Sequence, residues 1–284
     1  MKQIKIGLIA LLIPLVVCQA VITYRAHVKS NHAPRITSDG DEIQISCQYT
    51  REELLTGLSA HDEEDGDLAG KILIGGFSDF TERGVSSLEY AVYDQDDNIA
   101  LYHRRVVFSD YTPPRIKLFA PFVFKATDNA YSFPSLPAYL EGWDKLDGNI
   151  TKHMLITGSD LNFSKPGRYT VSVYLKNSFG DEVNMELPIH ILDPGISGYS
   201  IELTEEPLIY VEKGEAIHPE SYLAAVRNEY TNEIIPDNEY ALTIHSDVDP
   251  STDGSYEIQF SVISLDGTQR GETWMTVIVG NYGG

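Results

Sequence analysis

Residues 164–193 read SKPGRYTVSVYLKNSFGDEVNMELPIHILD. Val171, Val173 and Leu175 alternate with Ser172 and Tyr174, the period of a strand with one face buried. Asn177-Ser178-Phe179-Gly180-Asp181 is a cluster of turn formers, and Val183–Leu192 is a second apolar-rich run. Together they predict a β-hairpin.

The hairpin is written three times. Moved back by 83 positions, Gly167 falls on Gly84, the triplet Val171, Val173, Leu175 on Leu88, Tyr90, Val92, and Asn177 on Asp94. Moved forward by 87, Gly167 falls on Gly254, Tyr169 on Tyr256, and the triplet on Ile258, Phe260 and Val262. The openings recur too: Pro34-Arg35-Ile36 matches Pro114-Arg115-Ile116, and Tyr139-Leu140 matches Tyr222-Leu223. Repeats of about 80 residues built from short alternating strands predict β-sandwiches. The junctions at Tyr111–Pro114 and Asp193–Gly195 are short and contain proline, so they should be stiff. The expected division is 1–29 for the N-terminal segment, then 30–113, 114–194 and a degenerate 195–284. Helical periodicity is nearly absent beyond the N-terminus; Arg51–Leu58 and Ser221–Val226 are expected to make one helical turn each.

A second motif recurs inside the repeats. Asp-x-x-Asp-Gly-(Asp/Asn)-(Leu/Ile) occurs at Asp62–Leu68 and again at Asp144–Ile150, 82 positions later. Its turn reading is direct: Gly66 and Gly148 can take positive φ, and the aspartates can cap neighbouring amides. Its metal reading is a weak calcium site, with Asp62, Asp65 and Asp67 supplying some of the hard oxygen ligands that calcium takes at about 2.3–2.6 Å. Lys145 and Asn149 make the second copy a poorer cation site. An acid/base pair is disfavoured because no apolar stretch is placed to split two carboxyl pKa values.

The order Pro-x-Ile, Asp-x-x-Asp-Gly-(Asp/Asn)-(Leu/Ile), Pro-Gly-x-Tyr-x-Val-x-Val, (Asp/Asn)-x-x-Gly-(Asp/Asn) resembles the immunoglobulin-like repeats of bacterial cell-surface proteins, the cadherin-like and hyalin-repeat-like modules. The resemblance covers residues 33–193 well and 197–280 weakly. It implies an all-β protein: three tandem immunoglobulin-like β-sandwich domains after an N-terminal hydrophobic helix. It also implies a stalk, an adhesin or a binding accessory. Two departures stand out. Ser86 replaces the tyrosine in the first repeat, and VRNEYTNEII replaces the aspartate motif in the third. No LPxTG-type sorting signal follows, so anchoring is expected at the N-terminus.

That N-terminus reads IGLIALLIPLVVCQAVIT over residues 6–23, uncharged and preceded by Lys2 and Lys5. Eighteen residues are close to the minimum for a membrane span, and the basic flank favours a cytoplasmic start. An uncleaved signal-anchor is the leading reading. A cleaved signal peptide ending at Cys18-Gln19-Ala20 and a lipoprotein attached at Cys18 are the alternatives. The first makes a single-pass protein of the cell membrane with its C-terminal part outside; the second makes a secreted one. The chain has a formal net charge of -21, and five of its 21 basic residues lie in the first 35 positions. A body that acidic has little with which to neutralise phosphates, so nucleic acid is excluded as a partner. Two cysteines, Cys18 and Cys47, give no disulfide framework.

Other candidates favour structure over chemistry. DVDPSTDGSYE (247–257) begins like an EF-hand loop but has Phe260 where the twelfth-position glutamate belongs, so a turn is expected. Tyr169 and Tyr256 sit where a tyrosine corner would form. Trp143 and Trp274 suit a core position better than a sugar platform. No nucleophile elbow, His-Glu-x-x-His or P-loop occurs, and no cofactor is expected. The expected role is a non-catalytic surface stalk or adhesion module. The alternatives are an accessory binding carbohydrate or cell-wall polymer, and a non-catalytic subunit of an exported envelope complex.

Overall fold

Alternation in the sequence becomes twenty strands in six sheets among the described residues of the computed structural model, which are 14–23, 32–126 and 133–280. About half of the described residues are in strands and 12% are helical. The first repeat holds β1 (Arg35–Ser38), β2 (Glu42–Ile45), β3 (Leu58–Asp62), β4 (Gly66–Asp67), β5 (Leu73–Phe77), β6 (Val85–Tyr93) and β7 (Ile99–Phe108). They form a sheet β1-β3-β4 and a sheet β2-β7-β6-β5, with β2 parallel to β7. The second repeat follows the same plan. Its strands are β8 (Arg115–Leu118), β9 (Val123–Lys125), β10 (Leu140–Asp144), β11 (Gly148–Asn149), β12 (Leu155–Ser159), β13 (Gly167–Lys176) and β14 (Glu182–Leu192), paired as β11-β10-β8 and β12-β13-β14-β9. The third has β15 (Tyr199–Leu203), β16 (Leu208–Val211), β17 (Leu223–Asn228), β18 (Tyr240–Ser246), β19 (Gly254–Ser264) and β20 (Arg270–Val279), paired as β15-β17 and β16-β20-β19-β18. The counterpart of β4 and β11 in this repeat, which lacks the aspartate motif, is reduced to a single bridge between Arg227 and Ile234, with Asn228 Oδ1 accepting from Tyr230 N and Thr231 N and Asn232 at φ +62°.

The aligned triplets are the core. Leu88, Tyr90 and Val92, then Val171, Val173 and Leu175, then Ile258 and Phe260 are fully buried, and Val262 is nearly so. Burying each such side chain contributes about 1.5–3 kcal/mol, which fixes the register because a one-residue slip would turn the whole set outward. Partner strands β14 and β20 answer with Met185, Leu187, Ile189 and with Met275, Val277, Val279.

Of the two expected helical turns, Arg51–Leu55 is an α-helix with a capping box. Thr50 Oγ1 accepts from Glu53 N, and the Glu53 carboxylate accepts from Thr50 N. The other is a 3-10 turn at Pro219–Tyr222 that runs directly into β17; the alternating residues Leu223–Asn228 pair with β15 rather than continue a helix. Residues 14–23 are helical, while 6–13 of the apolar run lie outside the described residues. Among the described residues no helix is long and apolar enough to cross a membrane.

The chain divides into two compact units, residues 1–109 and 110–284. The expected boundary at Asp193–Gly195 therefore falls inside the second unit. Leu208 and Ile278 of the third repeat belong to the core built around β13 and β14. Tyr210 completes the join: its hydroxyl accepts from Ile116 N at 2.9 Å and donates to Ile116 O at 3.1 Å. Burial pushes this phenol up to about 12.

Candidate functional site

The recurring aspartates form one construction, made twice. In the first unit Asp62 ends β3, and its buried carboxylate accepts from Glu64 N and Asp65 N through Oδ1, both at 2.9 Å. Those two bonds bend the chain back so that Asp62 pairs with Gly66, which takes φ +75°. Asp67 then caps Ala69 N at 2.9 Å, and Leu68 drops into the core. Asp65 reaches away from the turn to the β6–β7 hairpin tip, accepting from Gln95 N at 2.6 Å and Gln95 Nε2 at 2.7 Å. The tip is itself organised by Asp94, whose Oδ1 accepts from Asp96 N and Asn98 N.

The second unit repeats this bond for bond. Asp144 Oδ1 accepts from Leu146 N and Asp147 N, Gly148 has φ +71°, and Asn149 Oδ1 accepts from Thr151 N. Asp147 reaches the β13–β14 tip, accepting from Ser178 N at 2.6 Å and Ser178 Oγ at 2.7 Å. Asn177 replaces Asp94 at the centre of that tip, accepting from Phe179 N and Asp181 N. Its amide also donates to Asp144 Oδ2 at 3.2 Å and to the Tyr111 hydroxyl at 2.9 Å. Burial raises the Asp144 carboxyl above the usual range, although the bonds from Asp147, Leu146 and Asn177 pull the other way. Burial likewise raises Tyr111, whose hydroxyl donates to Asp181.

Asp62, Asp65 and Asp67 are not brought to one point. Asp62 and Asp65 border a cleft of about 190 Å3 with Glu64, Asp94 and Asp96, whereas Asp67 lies outside its lining. Among the described residues no three His, Cys, Asp or Glu side chains are grouped to hold a metal ion. Lys145 bridges to Asp110 at 3.1 Å. The stretch at 247–257 is a turn: Asp249 accepts from Ser251 N, Ser251 Oγ and Thr252 Oγ1, and the Ser251 hydroxyl leads in holding its carboxyl below the usual range. Tyr169 and Tyr256 form tyrosine corners, donating to Lys165 O and Thr252 O. Ser86, at the corresponding place in the first repeat, donates to Ser78 O instead.

One polar cluster has no signal in the sequence. Trp274 of β20 stacks on His190 of β14 with centroids 3.9 Å apart and planes 6° from parallel. His190 Nε2 lies 2.6 Å from Glu257 Oε1, and Arg168 Nε donates to Glu257 Oε2 at 2.7 Å. Burial pushes Glu257 up, yet the bonds from His190 and Arg168 outweigh it and hold the carboxyl below the usual glutamate range. These residues come from two repeats, so no local pattern could bring them together. Trp274 is thereby committed to packing inside the second unit.

No family model matches the chain. Over 159 residues it is 28% identical to the pesticidal crystal protein Cry22Aa of Bacillus thuringiensis, a match that covers 55% of this chain and a fifth of that protein. Among solved structures it is similar to the M60 catalytic domain with CBM51-1 and CBM51-2 domains of Clostridium perfringens ZmpB, at 12% identity and TM-score 0.22, covering 87% of this chain and 30% of that one. It is also similar to protocadherin gamma B2 extracellular cadherin domains 1–5, at 12% identity and TM-score 0.20, covering 89% and 61%. A third is the lipoprotein BT2262 of Bacteroides thetaiotaomicron, at 14% identity and TM-score 0.21, covering 86% and 98%. Likeness at these scores carries no argument about activity or partner.

Proposed function

We propose that the chain is a non-catalytic extracellular scaffold, a stalk or adhesion module of three immunoglobulin-like sandwiches (30–113, 114–194 and 195–284) presented outward from an apolar segment at residues 6–23. One observation carries the reading. The residues that look most like chemistry, Asp62, Asp65, Asp67 and their counterparts, accept amide protons that shape a turn and brace a hairpin tip, identically in two repeats. A catalytic carboxylate must face substrate with a tuned proton affinity; these are held in turns instead. The stretch matched in Cry22Aa is about as long as two repeats inside a far longer protein, which suits a portable module. Protease added to intact wall-less cells should digest residues 32–280. Full protection of that region would overturn an outward-facing scaffold.

A second reading, an accessory for glycan or cell-wall polymer, is favoured by a cleft of about 450 Å3 in the second unit. Trp143 and Tyr210 border it together with Arg115, Lys117, Glu205 and Glu206. An aromatic rim with charged neighbours suits a sugar ring. On a glycan array, binding that disappears in Trp143→Ala would replace the scaffold reading with this one; uniform background signal would retire it.

A further inference from the structure

We propose that the outer edge of β18 is a docking site for an extended peptide strand carrying basic residues at both ends. The inference goes beyond the scaffold reading and would stand if the chain were instead part of an enzyme complex.

Sheet edges are normally made unattractive to other chains by bulges, charges or prolines. The first two repeats follow that rule. At β5 the pairing with β6 slips between Ile74 and Phe77, and at β12 the pairing with β13 slips between Ile156 and Gly158. Strand β18 takes the same edge position in its sheet, yet pairs with β19 without a slip through seven consecutive residues. It is the longest edge strand among the described residues, and YALTIHS contains no proline, lysine, arginine or carboxylate.

Its hydrogen-bonding phase follows from the flanks. Leu265 N donates to Glu239 O and Asp247 N donates to Glu257 O, so the odd-numbered residues exchange bonds with β19. The N–H and C=O groups of Leu242, Ile244 and Ser246 therefore point away from the sheet. No backbone bond within the described residues engages them. The inward side chains are equally receptive. The second sheet of this repeat has only two strands, and Leu242 remains 38% exposed while Ile244 packs on the core. An added strand would complete both the ladder and this apolar layer, which is how strand addition combines affinity with selectivity.

Charge decides among occupants. Asp237 and Glu239 precede the strand, Asp247 and Asp249 follow it, and all four are exposed. Antiparallel pairing of two copies about Ile244 would set Glu239 opposite Asp249 of the second copy, within bodies each of net charge -21. A neutral or apolar strand with lysine or arginine at both ends meets complementary charge instead.

The probe is the tagged peptide Lys-Lys-Thr-Val-Thr-Val-Thr-Lys-Lys, added to the full chain and followed by fluorescence anisotropy and amide hydrogen exchange. Binding should slow exchange at Leu242, Ile244 and Ser246. The same peptide with glutamate in place of lysine should bind at least about tenfold more weakly. Leu242→Pro removes an outward N–H without costing a bond to β19 and should abolish binding. Glu239→Lys, on an exposed side chain, tests the charge argument with little demand on folding: it should weaken the lysine peptide and strengthen the glutamate one. Several outcomes would overturn the proposal. They are unchanged exchange at the three amides with millimolar peptide, binding indifferent to both variants, or concentration-dependent protection without peptide, which would assign the edge to a second copy.

Discussion

Gly66 and Gly148 show how much one residue decides in this fold. Both adopt positive φ, and a methyl group at either would meet no atom within 4 Å. The demand is therefore for backbone conformation alone, and an alanine would pay it as strain of about 1–2 kcal/mol. Chemical denaturation of Gly66→Ala and Gly148→Ala should each show that loss, with asparagine milder because it tolerates the left-handed region. Equal stability of the alanine and glycine forms would remove the turn from the list of fold determinants. The motif was legible because it recurs at one place in the repeat and because Asp-Gly is itself a turn signal. Its full hydrogen bonding was not. Asp62 and Asp144 cap the turn locally, but Asp65 finds Gln95 thirty residues away and Asp147 finds Ser178 at a similar remove. Such partners are set by how two strand pairs fold over one another, which no local pattern encodes.

At the scale of elements, those longer bonds tie a turn in one sheet to the hairpin tip of the other. Asp65→Ala and Asp147→Ala should each cost about 1 kcal/mol, the net worth of an intramolecular hydrogen bond in partial contact with water. Exchange at the Gln95 and Ser178 amides should accelerate selectively; uniform acceleration across the unit would mean a global effect rather than a brace. Strands β14, β19 and β20 meet in the other polar contact, around Glu257. Its folded proton affinity lies below the unfolded one, so its stabilisation is present above the ordinary glutamate range, near pH 4.3, and is lost as pH falls through the lower folded value. The melting-temperature gap between the native chain and Glu257→Gln should accordingly be wide at pH 7 and shrink as the pH is lowered below the ordinary glutamate range. A gap that is constant with pH would show that packing, not charge, accounts for the variant. The strands themselves were legible from period-2 alternation, because hydrophobic burial acts on every second residue. This cluster was not, because His190 and Trp274 look like ordinary strand residues until two repeats are packed together.

At the scale of the molecule, the third repeat looks independent in sequence and is not so in structure. The proline-containing junction at Asp193–Gly195 reads as a boundary, yet residues 110–284 form one compact unit. Leu208 and Ile278 enter the core of the second repeat, and the half-buried Tyr210 hydroxyl bonds to both backbone groups of Ile116. Removing either partner would leave buried polar groups without bonds and apolar surface in water, penalties large enough to couple the two repeats. The second unit should therefore unfold as one cooperative transition. The chain's two tryptophans allow a direct check, since Trp143 lies in the second repeat and Trp274 in the third. In Trp143→Phe the remaining fluorophore lies on β20 of the third repeat, against His190 of the second; in Trp274→Phe it lies on β10 of the second repeat, beside Tyr210 of the third. Within each variant, the fluorescence midpoint should coincide with the exchange-detected loss of the β13 and β19 amides, as two-state behaviour requires. Tyr210→Phe should lower both repeats' midpoints together, because the bond it breaks belongs to neither alone. Loss of β19 protection at a denaturant concentration where β13 stays protected would separate the repeats, and the junction would then be a boundary after all.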